Sequence, residues 1–232
     1  MERYLQCPRR YEYERVLDLA EPAEQLGYKR YHDCVARVLR ELRAAEQGAG
    51  APDPAAAEAL LAATWDVEGP LGHPLEAVYR KMASRLVGAY CARRAATTEQ
   101  RGAPWRDALD VPVGGVLVRV PIDDSEVLPD GTVRLIRART GRESDEHRRE
   151  PRLALLRAGA TQALGEGVPV QIEVDYVATG GVRVVPPSAR YEPPRIDAVA
   201  GAVRGILDGR FPATPSQARD CATCPFWVVC PA

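Results

Sequence analysis

Four cysteines carry the clearest chemical signal in this 232-residue sequence. Three lie close together in the segment Cys-Ala-Thr-Cys-Pro-Phe-Trp-Val-Val-Cys, at Cys221, Cys224 and Cys230, and Cys7 stands more than two hundred residues upstream. Three thiolates cannot complete a tetrahedral metal site, so a fourth ligand has to come from elsewhere in the fold. A centre that included Cys7 would join the two ends of the chain. An all-thiolate site suits either an iron–sulfur cluster or zinc, and the spacing does not separate them.

The composition of the chain indicates which partners and which cellular environment to expect. The chain has 31 Lys and Arg against 32 Asp and Glu, so any contact with a polyanion requires a local basic patch. It has no signal peptide and no apolar run of about eighteen residues, so we predict no membrane association. Six cysteines without a secretory signal favour a reducing cytoplasm and metal binding over disulfides. Cys34 and Cys91 lie in helical patterns and are expected to be small buried side chains.

Hydrophobic spacing divides the chain into three parts of one integrated domain. Residues 1–110 are predicted to be mostly helical, with a Gly/Ala/Pro break at 48–55 and a last helix from Pro74 to Thr97. Residues 111–190 form an α/β core, and residues 191–232 hold a C-terminal helix (193–210) followed by the cysteines. The core is predicted to contain strands at 116–120 and 133–138, a helix at 150–164, and strands at 168–178 and 182–185. This order indicates a mixed α/β sheet.

The segment Leu128-Pro129-Asp130-Gly131-Thr132 is typical of a turn. Proline presets one backbone angle, and glycine accepts a positive φ. We therefore predict a hairpin that pairs the alternating valines at 116–120 with residues 133–138.

The residues around Cys7 resemble a known family. The segment Tyr-Leu-Gln-Cys-Pro-Arg-Arg-Tyr-Glu-Tyr (4–13), together with the C-x2-C-x5-C group, is similar to RecB-like, AddB-type nuclease domains of the PD-(D/E)xK superfamily that carry an iron–sulfur cluster. The resemblance spans almost the whole chain and implies a restriction-endonuclease-like mixed sheet. It also implies a [4Fe–4S] cluster on Cys7, Cys221, Cys224 and Cys230, with zinc as the alternative, and Trp227 is then expected to shield that centre from water.

In this family the site contains a helical His, an Asp entering the hairpin, an acidic-x-Lys pair on the next strand, and a Gln-x3-Tyr helix. The two acids hold a divalent metal that activates water. His32 and Asp123 match the first two positions. The other four positions are replaced, by Arg137, Arg139, Arg152 and Leu156.

These replacements argue against metal-dependent hydrolysis. Mg²⁺ requires hard oxygen ligands, usually carboxylates, and a guanidinium in place of an acid repels the ion. Arg139 does not replace lysine either, because its planar fork has a different geometry and does not deprotonate. Asp124 and Glu126 remain nearby, but strand alternation turns them away from Asp123. We therefore expect no Mg²⁺ site and a catalytically inactive nuclease fold.

Two roles for the new arginines stay open. They can bind a DNA phosphate, or Arg137 can pair with Asp123 and fill the vacated cleft. The arginines expected to contact DNA are Arg9, Arg10, Arg137, Arg139, Arg142 and Arg152. The resemblance implies a role in DNA repair or recombination beside a superfamily 1 helicase or a nuclease subunit. Two other functions compete with it: an active metal-dependent DNA exonuclease with an atypical site built on His32 and Asp123, and a protein-interaction module without DNA affinity.

Overall fold

The computed structural model describes residues 1–19, 23–96, 102–165 and 167–231. The helical part comprises α1 (Glu2–Gln6), α2 (Pro8–Tyr11), a π-helical turn (Glu12–Val16), α3 (Ala23–Ala49), α4 (Pro54–Glu68) and α5 (Glu76–Ala96). The α/β part comprises β1 (Ala103–Pro104), β2 (Ala108–Val113), β3 (Val116–Pro121), β4 (Asp124–Val127), β5 (Val133–Arg139), a 3-10 turn (Asp145–Arg149), α6 (Pro151–Leu164), β6 (Val170–Tyr176) and β7 (Gly181–Val185). Helices α7 (Glu192–Leu207) and α8 (Arg219–Ala222) follow.

A mixed five-stranded sheet in the order β1-β4-β5-β6-β7 forms the centre of the α/β part. Strands β5 and β6 are parallel and are connected by α6, while the other neighbours are antiparallel. The predicted mixed α/β class, the helix at 150–164 and the β6–β7 hairpin are confirmed. Gly180 has a φ of 71°, the left-handed conformation that this tight hairpin turn needs.

The predicted hairpin is wrong in its pairing. Strand β3 pairs with β2 in a separate two-stranded sheet, across Gly114 and Gly115, which both have positive φ. The turn at residues 128–132 instead connects β4 to β5. Strand β4, with the sequence Asp-Ser-Glu-Val, gives no apolar alternation because its buried Glu126 is held by an ion pair with Arg134 rather than by packing.

The boundaries also differ from the prediction. Strands β1 and β2 begin inside the stretch 1–110 that we expected to be helical, because β1 pairs with β4 at the edge of the sheet. The first helix is interrupted at Cys7, whose backbone is extended before Pro8 starts α2. The predicted helix end at Thr97 lies outside the described residues. None of the helices described above combines the length and apolar character needed to cross a lipid bilayer.

Two apolar cores support the fold. One lies between the sheet and helices α6 and α7, around Leu135 and Ile172. The other lies among α3, α4 and α5, around Trp65. Cys34 and Cys91 belong to the second core and are 0% and 1% exposed, so their predicted burial is confirmed. Burying each large apolar side chain contributes about 1.5–3 kcal/mol.

Buried ion pairs fix the helical layer on the sheet. Arg43 of α3 lies 2.9 Å from Asp175 of β6 and 3.6 Å from Asp124 of β4. Arg93 of α5 reaches the same Asp175 at 2.7 Å. A buried charge that loses its partner is costly, so these contacts hold α3 in one position against the sheet. As a result, the N-terminal half of α3 overhangs the end of β5.

Candidate functional site

A cavity of about 400 Å³ opens between α3 and the end of β5. Helix α3 contributes His32, strand β5 contributes Arg137 and Arg139, and Asp123 enters from the residue before β4. The two arginines share a face because side chains alternate along a strand. The structure therefore brings four of the six family-matched positions to one cleft.

The Asp123 carboxylate is held by two guanidinium groups. Arg137 Nη1 donates to Oδ2 at 2.5 Å, and Arg152 Nη2 donates to Oδ1 at 2.9 Å. The backbone amide of Ala138 also donates to Oδ2, at 3.1 Å. Burial acts to raise the pKa of Asp123, but the two arginines outweigh it and hold the pKa below its ordinary value. Asp123 is thus a charged acceptor with both oxygens engaged.

Glu150 is a second acid in this cluster, and we did not predict it. It lies immediately before α6, where it accepts from Arg137 Nε at 3.5 Å and pairs with Nη2 of Arg139. The sequence offered little indication that Glu150 belongs to the site, because it ends a charged run at residues 142–150 that resembles a solvated loop. Its position two residues before Arg152, a family-matched position, was the available clue.

Two histidines line the cleft. His32 Nδ1 lies 2.5 Å from Thr140 Oγ1, while its Nε2 is buried without a hydrogen-bond partner among the described residues. His147, which we did not assign to the site, lines the same cavity and stacks on Tyr176. Burial lowers the pKa of both imidazoles, and the nearby Arg139 guanidinium lowers both further. Both rings are therefore neutral near pH 7.

The cluster as a whole keeps a positive charge. Three guanidiniums, on Arg137, Arg139 and Arg152, face two carboxylates, on Asp123 and Glu150, which leaves one net positive charge. Burial, with Arg137 next to it, lowers the pKa of Arg139 to about 10, so this side chain stays protonated at neutral pH. The Nε atoms of Arg139 and Arg152 are buried and have no hydrogen-bond partner among the described residues. Arg139 is the most exposed of the three arginines, with 27% of its side chain accessible, so it is the one that an incoming anion reaches most easily.

The remaining predicted positions lie elsewhere. Leu156 is 1% exposed in the core between the sheet and α6, outside the cleft. Arg142 is exposed beyond the end of β5 and does not line the cavity. Within the described ranges, no group of three or more His, Cys, Asp or Glu side chains is placed to hold a metal ion. Asp123 and the neighbouring Glu150 are engaged by arginines, and Asp33, the other acid that lines the cavity, is exposed on α3.

The four cysteines line one further cavity, also of about 400 Å³. Their thiols are free rather than paired in disulfides. Desolvation raises the pKa of Cys221, and the Cys7, Cys224 and Cys230 thiols raise it further, which indicates that the four sulfurs are neighbours. The cavity has room for a multi-atom group, since one water needs only about 10–15 Å³ of such space. The four thiols line one cavity, but among the described residues they do not form a group arranged to hold a metal ion.

Backbone contacts join the two ends of the chain beside this cavity. The amide of Ser216 donates to the carbonyl of Gln6 at 2.7 Å, and the Tyr4 hydroxyl donates to the carbonyl of Arg210 at 2.6 Å. These bonds place Cys7 next to the C-terminal cysteines.

Two aromatic residues lie beside the cysteine cavity. Trp227 lines the cavity and is 68% exposed, and its shielding of a bound centre stays a prediction. Phe226 is buried and packs against Tyr13, with ring centroids 5.3 Å apart. Arg9 and Arg10 line the cavity, and they pair with Glu12 and Glu14 at 2.5 and 2.6 Å, respectively.

Comparison with protein families gives one result for this chain. The family described as the PD-(D/E)XK nuclease superfamily matches residues 1–231. The matched range includes the helical layer, the arginine-filled cleft and the cysteine cavity. No curated protein matches the chain.

Proposed function

The chain belongs to the PD-(D/E)XK nuclease superfamily, and we propose that it is a catalytically inactive, RecB-like, AddB-type member that binds DNA and carries a structural [4Fe–4S] cluster. The observation that carries the proposal is the pairing of both Asp123 oxygens with Arg137 and Arg152. A metal-dependent nuclease needs carboxylate oxygens turned toward its metal ion. Here the same oxygens accept hydrogen bonds from guanidinium groups.

DNA binding follows from the charge that remains in the cleft. Guanidinium forks bind phosphate oxygens with charge-assisted hydrogen bonds, and the Arg139 side chain is 27% exposed. The net positive charge of the arginine–carboxylate cluster favours a phosphate after the internal pairs have formed. The proposed ligand is the DNA backbone.

The cysteine cavity supports the cluster proposal. Cys7, Cys221, Cys224 and Cys230 would hold the [4Fe–4S] group, which when bound supplies four iron–thiolate bonds. Those bonds would tie residue 7 to the last dozen residues, where the backbone contacts of Ser216 already bring the ends together. Zinc on the same thiols is the alternative, and joint iron, sulfide and zinc analysis separates the two.

We propose a cellular role in DNA repair or recombination, in which the domain holds DNA or acts as a scaffold for a superfamily 1 helicase or a nuclease subunit. This part of the proposal depends on the family resemblance. Pull-down of a helicase with the purified domain, in the presence and absence of DNA, tests it.

The central test combines cleavage and binding on one preparation. We expect no cleavage of labelled single- or double-stranded DNA with Mg²⁺ or Mn²⁺, and salt-dependent binding that weakens in Arg137→Glu/Arg139→Glu. Lys81→Glu/Arg85→Glu is the matched control, because both residues are exposed on α5 and line neither the cleft nor the cysteine cavity. Metal-dependent cleavage that disappears in Asp123→Ala would establish the exonuclease instead. A protein with no salt-dependent DNA binding would be an interaction module.

A further inference from the structure

A second basic groove begins where the cleft ends. It has a volume of about 500 Å³ and lies between α1, strand β3 and the start of α6. Arg152 lines this groove, and its partner Asp123 lines the cleft. The Arg152–Asp123 pair therefore stands at the junction of the two cavities, so a ligand bound in the cleft can continue into the groove.

The groove combines an apolar floor with a cationic rim. Its floor is apolar: Leu5 and Val118 are half-buried and supply the accessible surface, while Leu155 and Val199 are 4% and 1% exposed. Its rim carries Arg15 and Arg119, both exposed, and neither forms an ion pair with a described residue. Arg3 also lines the groove but is held by Glu14 at 2.7 Å. Glu2 is the one acid among the described lining residues, so the rim has an excess of positive charge.

These features identify the kind of ligand. Cations on the rim suit a polyanion, and an apolar floor gains free energy only when an apolar surface covers it. A DNA or RNA duplex presents phosphates but hides its base faces in the stack. An unpaired strand presents both together, because its bases are free to turn onto the protein while its backbone follows the cations.

We propose that this groove binds a single strand of nucleic acid that leaves the cleft past Arg152. Arg15 and Arg119 contact its phosphates, and an unpaired base lies on the floor around Val118. The inference rests on the proposed DNA binding in the cleft and adds the strand form and the direction of exit.

The test uses the double variant Arg15→Gln/Arg119→Gln. Its control is Lys81→Gln/Arg85→Gln, which likewise removes two positive charges, but from a surface outside the groove. Fluorescence anisotropy measures binding of a long labelled oligothymidine, a short one and a blunt duplex over a range of salt. Each phosphate contact on a single strand contributes about 0.7 to the slope of log affinity against log salt, so losing two contacts should lower that slope by about 1.4. If the two proteins bind equally well at about 1 M salt, this corresponds at 0.1 M salt to an affinity loss of about 25-fold for the long oligonucleotide.

The outcomes separate the groove from the cleft. The proposal is supported if only the groove variant loses affinity, and if it loses it only for the long single strand. If the groove variant binds like the wild type while Arg137→Glu/Arg139→Glu binds weakly, the groove inference is wrong and the proposed function stands. Equal losses in the groove and control variants overturn the inference as well, because they indicate unspecific attraction. If the wild type binds no DNA, both proposals fail. Ultraviolet cross-linking to the wild type, with peptide mapping of residues 115–121, gives a readout that needs no substitution.

Discussion

Replacing Asp123 with asparagine should change stability and DNA affinity in opposite directions. The substitution keeps the shape of the side chain and an acceptor for the Ala138 amide but removes the charge that faces Arg137 and Arg152. Two guanidiniums would then lie close together without the anion between them. The folded state should lose stability, and the cleft should attract a phosphate more strongly.

The burial of these side chains sets the size of the stability effect. Asp123 is 24% exposed, and Arg137 and Arg152 are 15% and 17% exposed. Exposed ion pairs contribute about 0–1 kcal/mol, while removing one partner of a fully buried pair costs about 3–5 kcal/mol. For two partly buried pairs that share one carboxylate we expect a loss of about 2–3 kcal/mol.

The affinity effect comes from the extra charge in the cleft. The net charge of the arginine–carboxylate cluster rises from one to two when Asp123 is neutralised. One additional charge about 6 Å from a phosphate, at an effective dielectric constant of about 50, contributes about 1 kcal/mol. DNA should therefore bind about fivefold more tightly.

Urea unfolding and fluorescence anisotropy on the same preparations measure the two effects. Asp145→Asn is the matched control, because Asp145 forms an exposed pair with Arg148 and should change stability by less than about 0.5 kcal/mol. Weaker DNA binding by Asp123→Asn would refute the reasoning, since it would mean that Asp123 contributes to ligand or metal binding. Unchanged stability would show that the two ion pairs of Asp123 contribute nothing to the free energy of unfolding.

Three further predictions follow from the same structure. Cys7→Ala should destabilise the whole domain, because the proposed cluster would lose one of its four ligands and with it the link between the chain ends; a thermal midpoint equal to that of the wild type would contradict that role of the cluster. Arg137→Asp/Arg139→Lys should introduce Mg²⁺-dependent cleavage of labelled DNA, since it restores an acid and a lysine at the family positions; a variant that folds but stays inert in Mg²⁺ and Mn²⁺ would show that the remaining replacements alone block catalysis. The lowered pKa values of His32 and His147 mean that the unfolded chain binds protons first as the pH falls, so the free energy of unfolding should decrease from about pH 6.5 downward. His32→Gln should flatten that decrease in urea titrations, and an unaltered pH profile would exclude this origin.

Strand β6 and helix α6, whose burial comes from apolar side chains, were predictable from the sequence. Strand β6 alternates Ile172 and Val174 toward the core, and α6 keeps its apolar face over fourteen residues. Strand β4 was missed because Ser125 and Glu126 are its buried side chains, and both are satisfied by polar contacts. Hydrophobic periodicity cannot report a strand that is buried by ion pairs and hydrogen bonds.

The same limit applies to the cleft. The turn at residues 128–132 located Asp123 and Arg137 within the family pattern, although the predicted strand pairing was wrong. This worked because the number of residues between each of them and the turn does not depend on which strands pair. Glu150 and His147 could not be assigned in this way. They lie in a charged run, and only the packing of α6 against the sheet decides which of its side chains face inward.

The arginines explain how the cleft stays folded in a chain that lacks the family's acid and lysine. The family site combines two acids with a divalent cation and a lysine, which makes three positive charges against two negative ones. This chain has three guanidiniums against the carboxylates of Asp123 and Glu150, so the balance is the same. We infer that the replacements kept the charge that attracts a phosphate and removed the group that activates water, since a guanidinium neither binds nor acidifies a nucleophilic water as a metal ion does. Under the proposed function, a cleft of this kind would hold DNA without cutting it.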